Sequence, residues 1–347
     1  MICRHLIARA AHLMAGLPAA AFMAGMALAQ DDATCGTAPS PIISLSFASR
    51  YAEDDASRAT VDPAREAEAE DALKPLDRFI DQLADRTEAL YSGRVRDRQR
   101  AATCVLEQLG GWAEADALSD LGTETVRLTI GSRYAAFALI LWQTLPYAPD
   151  NPSRAGILDW LDRRMRAQMA FWPEAPSGAQ RGNLRAWAGL AAAAVSVQTD
   201  SADLRDWADA GITEVLCSAN PDGSLPQEMS RGAFALHYQL HAIAPLVTAV
   251  VLLERQGIPA SRHCGGAIHR IVDFAVSDLS DGARTRAITG VEQSLFDGSE
   301  QLTAFQLAWI EQYQILRRSD VLEALAADLR PLIYTKLGGN QTALWRR

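Results

Sequence analysis

Apolar residues recur at three- and four-residue intervals along most of this chain, the spacing that gathers them on one stripe of a helix. The pattern predicts helices over 71–90, 97–117, 133–145, 153–171, 184–197, 203–217, 234–256, 264–279, 302–316 and 319–333. Ala, Leu, Arg and Glu dominate these stretches, and all are good helix formers. Breakers fall between them: Pro146, Pro149 and Pro152, then Pro173 to Gly182, then Asn220 to Gly223, then Gly257 and Pro259. No two β-branched runs are joined by a hairpin turn, so the fold class is all-α. Ten helices on short links build antiparallel hairpins, which either stack as a curved solenoid or close into an α/α toroid. No fixed repeat of roughly 30 to 45 residues is visible, which weighs against a consensus array.

The first 29 residues are read separately. Arg4 and Arg9 precede an apolar run, and Ala27, Leu28 and Ala29 form a small-residue cleavage site. This is the pattern of an export signal. The run contains Pro18 and lacks basic stop-transfer flanks, against a membrane anchor. The mature chain, 30–347, is expected to be one exported domain, periplasmic or secreted. No linker divides it, and a monomer is the simplest expectation. Cys35, Cys104, Cys217 and Cys264 remain after cleavage. In an oxidising compartment two disulfides are expected; order along the chain favours Cys35–Cys104 and Cys217–Cys264, although four cysteines allow three pairings. No CxxC spacing or Cys/His cluster points to a metal, and no cofactor motif is present.

The net charge of −9 becomes about −11 when Arg4 and Arg9 leave with the signal. Basic residues are almost all Arg, with Lys only at 74 and 336. Arg suits bidentate carboxylate recognition, though Arg richness also follows from GC-rich coding. No basic stripe with interleaved aromatics suggests nucleic acid. Segment 44–62 interrupts the helical pattern and is polar. It is either a surface loop or a lid whose Arg50, Tyr51 and Arg58 reach a bound anion.

Candidate chemistry concentrates in 222–245, where Arg231 and Tyr238 stand seven positions apart. Seven residues is two turns, so the pair is expected on one face of one helix. A guanidinium beside a phenol suits a reaction that neutralises a carboxylate while a phenol moves a proton. That is the requirement of β-elimination on a uronic-acid sugar. His241, three residues after Tyr238, lies roughly on its face; His237 points about 100° away.

Five stretches together resemble alginate lyases of polysaccharide lyase family 5 and its relatives: SRYAEDDASRAT, ATCVLEQLGGWAEADAL, RGNLRAWAGLA, DGSLPQEMSRGAFALHYQLHAIAPLV and FQLAWIEQY. They run in the family's order and span most of the mature chain. The resemblance implies an α/α toroid and a lyase acting on an anionic polysaccharide without metal or cofactor. It assigns catalysis to Asn183, Arg231 and Tyr238, with Trp187 at the family's Trp position. Leu184 stands where the family carries a catalytic His, Gly182 where it has a first Asn, and Ala186 where it has a Tyr. Asn183 to Trp187 is also similar to a glucuronan lyase family that relies on Tyr.

The mechanism implied is that Asn183 and Arg231, with Arg185, neutralise the substrate carboxylate. Tyr238 then takes the C5 proton and returns one to O4. Mannuronate and glucuronate place both groups on one side of the ring, so one phenol serves both steps. Arg231 is expected to lower the Tyr238 pKa. Arg185, Trp187, Arg50, Tyr51, Arg58 and His241 are the expected substrate-binding residues. Two competing readings are a catalytically inactive uronan-binding relative, prompted by Leu184, and an inverting hydrolase, which needs two carboxyl groups across the bond.

Overall fold

The structure, a computed structural model, describes residues 35–55 and 58–346. The export signal expected at 1–29 lies outside the described residues. The described residues from Thr37 onward form one compact unit. Long helices run over Pro63–Thr87, Val95–Glu114, Gly131–Thr144, Arg154–Phe171, Asn183–Thr199, Ala202–Ser218, Ala235–Arg255 and His263–Asp278, followed by the shorter Ile310–Leu316 and Asp320–Ala327. Two small two-stranded pairings accompany them: Ser44–Leu45 parallel to Asp120–Leu121, and Ile333–Tyr334 antiparallel to Gly339–Asn340.

Helix Asn183–Thr199 is the hub. It packs against Gly131–Thr144, Ala202–Ser218 and Ala235–Arg255, and every residue from Ala186 to Ser196 is buried. Its sequence, AWAGLAAAAVS, is small enough for neighbours to approach closely. At Gly131 the next helix comes so near that an added Cβ would sit 2.8 Å from the Ala188 nitrogen. Ala235–Arg255 is the second inner helix. Among the described residues, Gly232–Arg255 alone is long and apolar enough to cross a membrane, with mean hydropathy 1.6. Its window is 83% buried in the protein, so its apolarity serves the core.

The pattern placed the helices well and their ends less well. The first begins at Pro63 rather than 71, because Asp62 accepts hydrogen bonds from the Ala64 and Arg65 nitrogens and Pro63 starts the turn. The last ends at Ala327 rather than 333. Pro331 bars a helical Arg330, whose guanidinium instead bridges Glu311 and Glu323. Cys217 and Cys264 are joined, tying helix Ala202–Ser218 to the start of His263–Asp278 across 47 residues; Cys35 and Cys104 each take part in a disulfide as well.

Candidate active site

A cavity of about 290 Å³ opens above the start of helix Asn183–Thr199. Its wall carries Arg50, Tyr51, Arg58, Arg133, Asn183, Leu184, Trp187, Arg231, His237, Tyr238, His241, Tyr334 and Lys336. Five of these are cations and none is an acid, so the site is locally positive although the chain's net charge is −9. A second groove of 290 Å³ shares Arg58, Asn183, Leu184 and Arg231 with the first and continues to Gly178, Gln227 and Ser230.

Arg231 and Tyr238 do not share a helix, contrary to the expectation from their spacing. Helix Pro226–Met229 ends at Ser230, and Gly232 takes a φ of +57°, a left-handed turn that glycine adopts without strain. Ala235–Arg255 then begins anew. Buried glutamines satisfy the interrupted backbone: Gln293 accepts from the Leu236 nitrogen and donates to the Gly232 carbonyl, and Gln239 accepts from the Leu225 nitrogen. The turn still aims Arg231 at the phenol. Its Cζ lies 3.9 Å from the Tyr238 ring centroid and 4.8 Å from that of Tyr51, and Nη2 donates to the Arg58 carbonyl at 2.6 Å. Its buried Nε has no hydrogen-bond partner among the described residues.

Segment 44–62 folds back on itself through a Tyr51–Val61 bridge and through Asp55, whose carboxylate accepts from the Ala59 and Thr60 nitrogens. This carries Tyr51 over the cavity, where its hydroxyl hydrogen-bonds the Tyr238 hydroxyl. Burial and Tyr51 push the Tyr238 phenol above its ordinary value, and the opposing pull of Arg231 is smaller. The expected net lowering is therefore corrected. Arg50 and Arg58 are exposed on the rim.

Asn183, the first residue of its helix, is 5% exposed and does not cap it. Its backbone nitrogen donates to Glu228 Oε1 at 2.6 Å and its side-chain Nδ2 faces Oε1 and Oε2 at 3.2 and 3.0 Å. Glu228 is fully buried, which pushes its carboxyl up to about 7 against the pull of Asn183 and Arg231. Trp187, one turn on from Asn183, is buried and donates from Nε1 to His241 Nε2 at 3.0 Å. Its place is the cavity floor rather than an open sugar platform. That bond leaves the His241 proton on Nδ1, and burial holds the ring down to about 3, so it is a neutral group.

Arg185 is not at the cavity. It is buried with its guanidinium 3.9 Å from the Trp207 ring and 5.2 Å from that of Trp172, and burial lowers it to about 10. The expected substrate contact is replaced by a structural cation–π stack.

His237, set aside in the sequence reading as pointing away from Tyr238, lines the cavity with its ring 5.0 Å from that of Tyr238, and its Nδ1 is 3.1 Å from Glu300. Other wall residues escaped the sequence reading. Tyr334 packs edge-on against Trp187 at 5.8 Å. Arg133 grips Asp77 at 3.0 and 2.8 Å, and Lys336 reaches the same carboxylate. Two cations on one acid leave net positive charge facing the cavity. Burial and Arg133 lower the Lys336 ammonium to about 8, so it is charged at neutral pH and loses that charge as pH rises through 8. KM for an anionic substrate is expected to rise about fivefold from roughly pH 7 to pH 9. Lys336→Met should raise KM at neutral pH and flatten that dependence, which steady-state kinetics across pH will show.

The family profile described as alginate lyase matches residues 132–285. A polysaccharide lyase from Stenotrophomonas maltophilia (strain K279a) is 30% identical over 84% of this chain and 85% of its own length. An alginate lyase from Pseudomonas aeruginosa is 26% identical over 90% and 86%. Among solved structures, alginate lyase A1-III in complex with tetrasaccharide superposes with a TM-score of 0.75 at 24% identity, covering 90% of this chain and 86% of that one. The fold is thus an α/α toroid. The chain belongs to the alginate lyase family, and its class is that of a polysaccharide lyase.

Proposed function

We propose that the protein is an exported lyase that cleaves β-1,4-linked polymannuronate or polyglucuronate by metal-independent syn β-elimination. The observation that carries this reading is the clustering of Tyr238, Arg231 and Asn183 on one acid-free, cation-lined cavity. Removal of the C5 proton requires that the neighbouring carboxylate be neutralised and the developing enolate-like charge be held. Arg231 supplies positive charge with an unpartnered buried N–H, and Asn183 an amide N–H. Tyr238, as phenolate, takes the C5 proton. Electrons from the C5–H bond form the C4–C5 double bond, the C4–O4 bond breaks, and the phenol returns the proton to O4. The Tyr51 hydroxyl, hydrogen-bonded to that of Tyr238, holds the phenol at the cavity. Segment 44–62 is the proposed lid, with Arg50 and Arg58 meeting carboxylates at the rim.

An inverting hydrolase is disfavoured because the wall has no pair of carboxyl groups. The inactive-relative reading rests on Leu184; what favours an active enzyme is the Arg231 guanidinium held against the Tyr238 ring on the cavity wall. Leu184 bears instead on selectivity. Guluronate presents its C5 hydrogen on the opposite face, and the side chain at 184 lines the cavity with no basic group to meet it. The enzyme should therefore leave polyguluronate uncut, with activity at least about a hundredfold below that on polymannuronate. Leu184→His should narrow that gap by gain on polyguluronate. A variant equally poor on polyguluronate, or a parent that cuts it well, would refute the assignment.

A further inference from the structure

Glu228 touches no part of the cavity that the proton transfer uses, yet its carboxylate is wholly buried and bound from the start of the central helix. Two carboxylate oxygens subtend only about 40° at a nitrogen roughly 3 Å away, whereas the two N–H bonds of an amide diverge by about 120°. One Asn183 N–H is therefore shared between Oε1 and Oε2, and the other is left free. The residue lines the cavity, so the free N–H is directed by the carboxylate that holds its twin. Glu228 also accepts, in trans, the backbone N–H that the first residue of a helix cannot satisfy internally. It is three residues before Arg231, whose backbone nitrogen bonds the Glu228 carbonyl at 3.0 Å. One residue thus braces both groups assigned to the substrate carboxylate.

We infer that Glu228 is the positioning residue of this site: its ionised carboxylate fixes which end of the Asn183 amide faces the substrate. The inference rests on the uronan-lyase reading for its consequence and on hydrogen-bond geometry for its cause. Gly182 fits it. A Cβ at 182 would lie 2.8 Å from Glu228 Oε1 and 2.8 Å from Gln227 Cγ, so glycine there makes the room through which the carboxylate reaches Asn183. Protonated, Glu228 presents an O–H to an amide that needs an acceptor, and the amide loses its fixed orientation. Burial places this change near neutral pH, about 7. The charged and titratable groups facing Glu228 are Arg231 from the turn and His237 from the next helix, with Asn183 opposite.

The test is a double-mutant cycle on polymannuronate and polyglucuronate with Glu228→Gln, Asn183→Ala and the double variant, alongside Gly182→Ala. Glu228→Gln should lower kcat about thirtyfold with KM little changed. The double variant should be no worse than Asn183→Ala alone, and the acid limb of the kcat profile near pH 7 should vanish. Gly182→Ala, which keeps the carboxyl but displaces it, should lower kcat in the same direction. Additive losses, or an acid limb retained in Glu228→Gln, would overturn the inference. A second measurement needs no substrate: the Asn183 side-chain amide resonances in asparagine-labelled protein should titrate near pH 7 in the parent. An amide that does not titrate there refutes the coupling. Failure of the lyase reading would show differently, as no unsaturated product from the parent enzyme.

Discussion

Tyr238→Phe is expected to lower kcat on polymannuronate by about a thousandfold or more, with KM within about threefold of the parent. The substitution removes one oxygen and keeps the ring. The Arg231 guanidinium retains its aromatic face at 3.9 Å, and the half-buried ring still fills its place. What disappears is the atom that takes the C5 proton and returns it to O4. His241 is held neutral and is committed to Trp187, and Leu184 has no proton to exchange. Because burial and Tyr51 raise the phenol's pKa, parent activity should climb with pH until the phenolate is formed or Lys336 is discharged. The Phe variant should lose that climb. Stopped assays of unsaturated product, with far-ultraviolet dichroism confirming the fold, check both.

Arg231→Met is expected to cost about a hundred- to a thousandfold in kcat, the usual effect of removing one strong donor from developing negative charge. Three contacts make this residue hard to replace. It stacks between two phenol rings, ties the segment 44–62 through the Arg58 carbonyl, and keeps a buried Nε free. Arg231→Lys should recover at most about tenfold, since an ammonium restores charge but neither the planar stack nor the fork of donors. A lysine variant with parent-like kcat would show that charge alone matters there. Both variants should weaken the hold on the loop, visible as faster proteolysis near Arg58.

How much of this site the sequence discloses depends on how local each contact is. Asn183 and Trp187 lie one helical turn apart on one face, and both line the cavity. Arg185, two residues from Asn183, is turned about 200° from it around the same helix. That offset was readable in the sequence, but that Trp207 stands on that side is seen only in the fold. The Arg231–Tyr238 contact was anticipated for the wrong reason: the two are joined by a glycine turn, and the guanidinium's reach makes the contact. Arg133, Tyr334, Lys336 and Asp77 come from segments up to 259 residues apart, so no spacing could gather them. Glu228 was legible as an acid inside the signature, but its pairing with Asn183 crosses 45 residues and needs the folded toroid. The helical core was the most legible part, because a 3.6-residue stripe records burial directly.

The decisive measurement follows ultraviolet absorbance and reducing ends together while the parent enzyme digests polymannuronate, polyglucuronate and polyguluronate. Elimination by a single phenol predicts one new conjugated double bond for each reducing end on the first two polymers and neither signal on the third. Reducing ends without absorbance, or no cleavage of any uronan, would contradict it.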